Sequence, residues 1–284
     1  MRLVLLLTLT TLATALGVSA QSVNWVQYIN PTDKDDHAYG VCTFGDYLAV
    51  VGEASSQDFV ALLDKTTGRV VKTLTGVKGQ LYNCLSVGDS LYVIGWYGIY
   101  VFDRDLNVVK RVETDWHPRA VTSDESYLYI AGLISRDVDG DRVSEVIWRI
   151  EKRTLDLDLV AYKEFYREWN KAYRYDSFVN DITINQATGE LWMVGTWAHY
   201  NGTVALDYSL LVIFDRGLNV KRIVEYQEGH RNYLGELRGI CFDEEGSAYV
   251  VGWRGVAKFD KNGNILTVER GVGGNKITCV SGRV

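Results

Sequence analysis

Short apolar runs that end in glycine recur along the chain. Five such runs share β-branched or aromatic residues and the closing glycine: Leu48–Gly52, Leu91–Gly95, Leu128–Gly132, Leu191–Gly195 and Ala248–Gly252. Each run is too short and too β-branched to be a helix, so each predicts a buried β-strand.

Further strands surround each of these runs. A second apolar run that ends in an acidic residue follows every one: Val60–Asp64, Ile99–Asp103, Val146–Glu151, Leu210–Asp215 and Val256–Asp260. A turn such as Lys65–Gly68 and a strand such as Val108–Val112 come next, and a strand such as Gly40–Phe44 opens each unit. Four strands in about 40 residues, joined by turn residues, form the period of a propeller blade.

The two ends of the repeat region complete this pattern. Lys276–Val280 matches the opening strand of a blade, and Val23–Tyr28 matches a closing strand. The sequence therefore predicts an all-β fold, a β-propeller of four-stranded antiparallel blades. It has five full blades and an incomplete sixth shared by the two termini, which would cover an unpaired strand edge. The middle strands of that blade are missing, either natively or because the gene product is truncated.

The first twenty residues differ from the repeats. Arg2 precedes an apolar run from Leu3 to Leu16, and small residues end the segment at Ala20. This pattern predicts a signal peptide over residues 1–20, with an uncleaved membrane anchor as the alternative. The remaining residues, 21–284, form a single β-propeller domain without a membrane span. The protein is then secreted, or associated with the cell surface.

The last full repeat resembles a known family. Gly239–Gly252 followed by Val256–Leu266 is similar to the SBBP-type β-propeller repeat of bacteria and archaea. This resemblance implies the propeller fold and an exported prokaryotic protein of bacterial or archaeal origin. It implies no particular activity, because one fold hosts many functions.

The four cysteines occupy what looks like one position, the middle of an opening strand: Cys42, Cys84, Cys241 and Cys279. Four cysteines in an exported chain are compatible with disulfides. Equivalent atoms on neighbouring blades should nevertheless lie beyond the roughly 7 Å between Cα atoms that a disulfide spans. The sequence therefore favours four buried free thiols.

Composition and charge narrow the range of partners. The chain is 47% hydrophobic, which excludes a disordered protein, and its net charge is −6. An acidic protein lacks the basic stripe that nucleic acids require, so nucleic acid is not expected as a partner. A monomer that binds a surface glycan or a protein is expected instead.

Nearly all insertions fall on one predicted face, as in Ile134–Glu145 and Thr196–Ser209. The four histidines are assigned to loops of this face: His37, His117, His199 and His230. Together with nearby carboxylates such as Asp207 they are candidates for catalysis, either as ligands of a transition metal or as general acid and base. The alternative is that histidine simply favours loops.

The same face is rich in tryptophan. The candidate ligand-binding residues are Trp96, Trp116, Trp169, Trp197 and Trp253. Exposed indole rings stack on sugars and also suit peptide surfaces. Several of them recur just after the strand-ending glycine, and this regularity also fits rings packed between blades.

An acidic hairpin is the sharpest local motif. Asp137, Asp139 and Asp141 alternate along it and Glu145 follows, a pattern of oxygen ligands that suits Ca²⁺. Arg142 stands where an EF-hand loop has glycine, and a solvated acidic turn is the alternative. Ca²⁺ is the one cofactor that the sequence indicates.

Asn201 begins a glycosylation sequon, Asn201-Gly-Thr203, in a predicted exposed loop. This agrees with export. The function predicted from the sequence is a binding or scaffold module at the cell surface or outside the cell, with its ligand on the loop-rich face. The alternative is a metal-dependent lyase or hydrolase that uses the histidines and carboxylates of that face.

Overall fold

Antiparallel β-sheets carry the regular structure of the part of the chain that the computed structural model describes. That part comprises residues 4–5, 27–29, 36–55, 57–124, 126–138, 140, 142, 144–165, 177–200 and 205–279. It forms two compact units, Met1–Thr114 (unit 1) and Asp115–Val284 (unit 2). Within this part, no helix has the length and apolar character needed to cross a membrane.

Unit 1 contains a short strand pair and two four-stranded sheets, blades 1 and 2. The pair is β1 (Val4–Leu5) with β2 (Gln27–Tyr28). Blade 1 comprises β3 (Asp36–Phe44), β4 (Tyr47–Ala54), β5 (Gln57–Asp64) and β6 (Val70–Val77). Blade 2 comprises β7 (Leu81–Val87), β8 (Ser90–Gly95), β9 (Gly98–Phe102) and β10 (Val108–Glu113).

Unit 2 contains three four-stranded sheets, blades 3 to 5. Blade 3 comprises β11 (His117–Ser123), β12 (Tyr127–Arg136), β13 (Glu145–Thr154) and β14 (Leu159–Phe165). Blade 4 comprises β15 (Phe178–Ile184), β16 (Leu191–Tyr200), β17 (Ala205–Phe214) and β18 (Val220–Gln227). Blade 5 comprises β19 (Leu237–Phe242), β20 (Ala248–Gly252), β21 (Gly255–Phe259) and β22 (Ile265–Arg270).

In every blade the strands pair antiparallel in chain order, which confirms the predicted four-strand repeat. The second and third strands are buried almost throughout, as in β8 and β9, whereas fourth strands such as β10 are mostly exposed. Strands covered on both faces contain continuous apolar runs instead of alternating ones. This explains the glycine-ended runs of the sequence.

The second strand of each blade ends in glycine for a steric reason. The opening strand of each blade is bulged opposite it, as between Pro118 and Ala120 in blade 3. The bulge brings a backbone oxygen against the glycine. A Cβ atom on Gly132 would lie 2.0 Å from the oxygen of His117, and one on Gly195 would lie 1.9 Å from that of Phe178. Only glycine fits this position.

The turns between third and fourth strands also repeat. In blade 4, Asp215 Oδ1 accepts hydrogen bonds from the backbone N–H groups of Gly217 and Asn219, and Asn219 Nδ2 donates to Oδ2. The Asn219 side chain is the largest cause that lowers the pKa of Asp215. Equivalent bonds link Asp103 to Asn107 and Asp260 to Asn264.

The prediction of free thiols is wrong. Disulfides join Cys42 to Cys84 in unit 1 and Cys241 to Cys279 in unit 2, with Cα atoms 5.8 and 5.6 Å apart. Both distances are ordinary for a disulfide.

The error came from treating all four cysteines as equivalent. Cys42 pairs with Ala49, three residues before the strand-ending Gly52, whereas Cys84 pairs with Val93, two residues before Gly95. Successive side chains of a strand point to opposite faces, so this shift of one residue turns Cys84 to the other face of its blade. Two facing blades then bring the thiols together.

Two further expectations need adjustment. The insertion Thr196–Ser209 is largely strand, because β16 extends to Tyr200 and β17 begins at Ala205, whereas Ile134–Glu145 is strand only at its two ends. Lys276–Val280, predicted as the opening strand of a sixth blade, is described as far as Cys279; this part has no strand pairing, although it lies beside β19.

Thiol counting tests the disulfides. Denatured, unreduced protein should have no reactive thiol, and four reactive thiols would contradict both bridges.

The Cys42→Ser, Cys84→Ser double variant should lose about 4 kcal/mol of unfolding free energy, because the bridge closes a loop with a sequence separation of 42 residues. Replacing Cys241 and Cys279 together should cost a similar amount. Denaturant unfolding measures both.

The Gly132→Ala variant tests the bulge. Its added methyl group must displace the His117 backbone, so the variant should lose about 3 kcal/mol of unfolding free energy. Gly217→Ala is the matched control, because its Cβ would meet only the exposed Asp215 and Asn219 side chains, at 3.2 and 3.3 Å. Equal stability of the two variants in denaturant unfolding would refute the steric explanation.

Candidate functional site

A cleft in unit 2 lies where blade 4 meets the link to blade 5. It encloses about 280 Å³, and its lining residues come from four separate segments: Phe178, Thr196, Asp207, Tyr233, Gly235, Glu236, Trp253 and Arg254. The segments are the start of β15, the hairpin of β16 and β17, the link from β18 to β19, and the turn after β20. The cleft therefore exists only once blades 4 and 5 have packed together.

Hydrogen bonds hold the link between blades 4 and 5 in place. The buried Ser209 Oγ accepts from the N–H of Leu234 at 3.0 Å and donates to the carbonyl of Gly235 at 2.7 Å. The turn after β20 is attached to the same link, because the N–H of Arg254 donates to the carbonyl of Leu234 at 2.8 Å. These bonds fix the backbone that carries the side chains of the cleft.

Tyr233 is a largely buried aromatic side chain of the cleft, with only 6% of it exposed. Its hydroxyl has no hydrogen-bond partner among the described residues. Burial raises the pKa of Tyr233 to about 12, and the negative charges of Asp207 and Glu228 add to this effect. Tyr233 therefore stays protonated at neutral pH and presents an unused donor and acceptor at the cleft.

Two charged side chains of the cleft, Arg254 and Glu236, are paired with partners in unit 2. Arg254 forms a 3.1 Å ion pair with Glu228, and its guanidinium lies 5.3 Å from the centre of the Tyr233 ring. Glu236 pairs with Arg238 at 2.9 Å and accepts a hydrogen bond from Asn180 at 3.0 Å. The cleft is thus polar, and these charges are balanced locally.

Trp253 forms the rim of the cleft and is 65% exposed. The Arg238 guanidinium lies 4.3 Å from the centre of its ring, a cation–π contact that helps to fix the indole plane. An exposed, oriented indole beside a buried phenol is an arrangement typical of ligand sites.

The other candidate tryptophans have different surroundings. Trp116 and Trp197 are buried in unit 2, where Trp197 stacks on Trp148 with ring centres 5.8 Å apart. Trp96 is half-buried in unit 1, and Trp169 lies outside the described residues. Of the four that the structure describes, Trp253 alone is placed at the cleft; ligand binding by the set stays a prediction.

The histidines are mostly strand residues. His37 lies in β3, His117 begins β11 and His199 lies in β16, so their assignment to loops is wrong. His230 lies in the link after β18, stacked on Tyr226 with ring centres 5.0 Å apart. Among the described residues, no group of three or more His, Cys, Asp or Glu side chains is arranged to hold a metal ion.

The acidic hairpin joins β12 to β13. Asp137 accepts hydrogen bonds from the N–H groups of Gly140 and Arg142, at 2.6 and 2.8 Å. Glu145 is fully buried; its Oε2 accepts from the N–H of Val138 at 2.8 Å, and its Oε1 has no partner among the described residues. Asp139, Asp141 and the sequon residue Asn201 lie outside the described residues.

Solved structures match this architecture over most of the chain. BamB from Moraxella catarrhalis is 15% identical with a TM-score of 0.54, covering 93% of this chain and 85% of BamB. A Bacteroides caccae protein of unknown function is 10% identical with a TM-score of 0.50, covering 78% and 72%. A chain of the Mitotic Checkpoint Complex is 11% identical with a TM-score of 0.53, covering 94% and 78%.

The fold is a β-propeller. At these identities the likeness shows the fold alone. No protein-family model and no curated protein matches the sequence, so membership of the SBBP-type family stays a prediction. The predicted blade architecture is confirmed.

Sequence reasoning missed most of the cleft. It proposed Trp253 and noted Asp207, but it did not select Tyr233, Glu236 or Arg254. The useful signal was the long link between blades 4 and 5, since polar and aromatic residues on a link between rigid sheets are often functional.

Proposed function

We propose that this β-propeller is an exported binding module whose ligand occupies the cleft of blades 4 and 5. The observation that carries the proposal is the Tyr233 hydroxyl, which lies at the cleft without a partner among the described residues. A hydroxyl group that no protein atom uses, on a largely buried ring at a preformed cleft, is a suitable partner for a polar ligand atom. The ligand is a glycan or a protein segment.

The disulfides support export. Such bridges persist in oxidising compartments, outside the cell or in the periplasm, and are rare in the cytosol. Each joins two adjacent segments of its unit and would strengthen a protein that works outside the cell. The predicted signal peptide over residues 1–20 agrees with this compartment. One structural neighbour belongs to a multi-protein complex, which is compatible with a propeller that serves as a binding platform.

The binding role can be tested by screening many ligands at once. The mature protein is screened against a random-peptide display library and a panel of oligosaccharides, and each ligand found is measured by calorimetry. Trp253→Ala should weaken binding about tenfold or more, because an exposed aromatic anchor is lost. Tyr97→Ala, which removes an exposed aromatic ring in unit 1, should have no effect. Ligands indifferent to Trp253→Ala would refute the site.

We also propose that the hairpin of β12 and β13 binds Ca²⁺. The support is Glu145, since a fully buried carboxylate oxygen without a partner among the described residues requires a cation or a donor. Glu145 would supply this oxygen beneath a loop whose backbone Asp137 shapes. A bound Ca²⁺ would add its positive charge to an acidic loop and tie β12 to β13.

Chelation tests the calcium proposal. A free Ca²⁺ concentration a hundred times the dissociation constant should stabilise the protein by about 2.7 kcal/mol. This should raise Tm by several degrees relative to protein in EDTA. Glu145→Gln should abolish this difference, whereas Glu245→Gln, at an exposed turn of the same unit, should retain it. An identical Tm with Ca²⁺ and with EDTA would show that the hairpin holds no structural calcium.

A further inference from the structure

The chemistry of the cleft narrows its ligand, provided that the proposed binding function holds. Arg254 and Glu236 each have an ionic partner, Glu228 and Arg238 respectively. A cationic ligand would have to displace Arg238 from Glu236, and separating this largely buried pair leaves an uncompensated charge. The Arg254–Glu228 pair is exposed and adds little to this barrier. Both pairs form without a ligand, so recognition through these side chains needs no charged group.

The remaining polar groups suit hydroxyls. Tyr233 offers a hydroxyl that both donates and accepts. Thr196 Oγ1 donates to the carbonyl of Tyr208 at 3.1 Å and keeps lone pairs for a further donor. The Arg254 guanidinium has more N–H donors than its contact with Glu228 uses. A group that donates and accepts at each position, as a sugar hydroxyl does, matches this mixture better than a peptide backbone does.

The size of the cleft and its rim also favour a sugar as the ligand. Its volume of about 280 Å³ is just below the roughly 300–1,000 Å³ typical of small-molecule sites. Such a space suits one or two sugar rings, whereas a protein partner would need a far larger surface. Trp253 at the rim offers an indole on which the C–H face of a sugar ring packs.

We propose that the cleft binds a neutral sugar unit of a larger glycan. The ring packs on Trp253, and its hydroxyls bond to Tyr233, Thr196 and Arg254. The glycan continues out of the cleft past the rim. No charged substituent is needed for recognition.

The test compares oligosaccharides of different charge by calorimetry. Neutral probes are cellohexaose, maltohexaose, xylohexaose and mannohexaose; oligogalacturonate is the anionic probe and chitosan oligomer the cationic one. At least one neutral probe should bind, with an affinity insensitive to salt, because no ionic contact forms with the ligand. Trp253→Ala and Tyr233→Phe should each weaken it about tenfold, and Tyr97→Ala should not.

The outcomes separate this inference from the binding function. Preference for a charged probe, a steep salt dependence, or a neutral probe that binds Trp253→Ala equally well would overturn the neutral-sugar assignment. If peptides bind in a Trp253-dependent manner and no sugar does, the assignment fails and the binding function stands. If neither peptides nor sugars bind through Trp253, both fail. Tyr233→Phe keeps the ring and removes only the hydroxyl, so loss of folding does not confuse the result.

Discussion

Backbone contact between an opening strand and the segment beside it is the constraint on which the rest of the structure depends. A Cβ atom on Gly40 would lie 2.8 Å from the Cα of Asn83, and one on Gly239 would lie 3.1 Å from the Cα of Lys276. Side chains are excluded from these points, and the adjacent segments approach until backbones touch. The two disulfides follow from this approach, because Cys42 and Cys241 each lie two residues beyond such a glycine, on the same face of the strand.

The links between blades are held by one recurring position. Asp58 in β5 and Ser209 in β17 both lie one residue before the partner of a strand-ending glycine. Asp58 accepts hydrogen bonds from the N–H groups of Gly79 and Gln80, and Ser209 binds the link at Leu234 in the same way. Burial raises the pKa of Asp58. The position anchors a link in both units, and in blade 4 the anchored link carries Tyr233 and Glu236.

Much of the fold could be predicted because the strands have local signatures. Each signature depends on only a few neighbouring residues. The signatures are apolar runs buried on both faces, a glycine opposite a bulge and an aspartate in a turn. The disulfides could not be predicted from the same pattern, since one residue of register decides which face Cys84 occupies. A glycine two residues before Cys42 and before Cys241 was the signal that the strands approach closely. The cleft joins segments from Phe178 to Arg254, and no local rule places them side by side.

The electrostatics of the cleft connect this architecture to recognition. The link and the turn after β20 are fixed by backbone hydrogen bonds, so Arg254 and Glu236 meet Glu228 and Arg238 before any ligand arrives. These side chains do not have to move when a ligand binds, so the free-energy cost of ordering them is low. The groups left to distinguish ligands then include a neutral phenol and an exposed indole. A site of this kind recognises the shape and the hydroxyl groups of its ligand. Its ion pairs hold the site in a fixed geometry and contribute less to the choice between ligands.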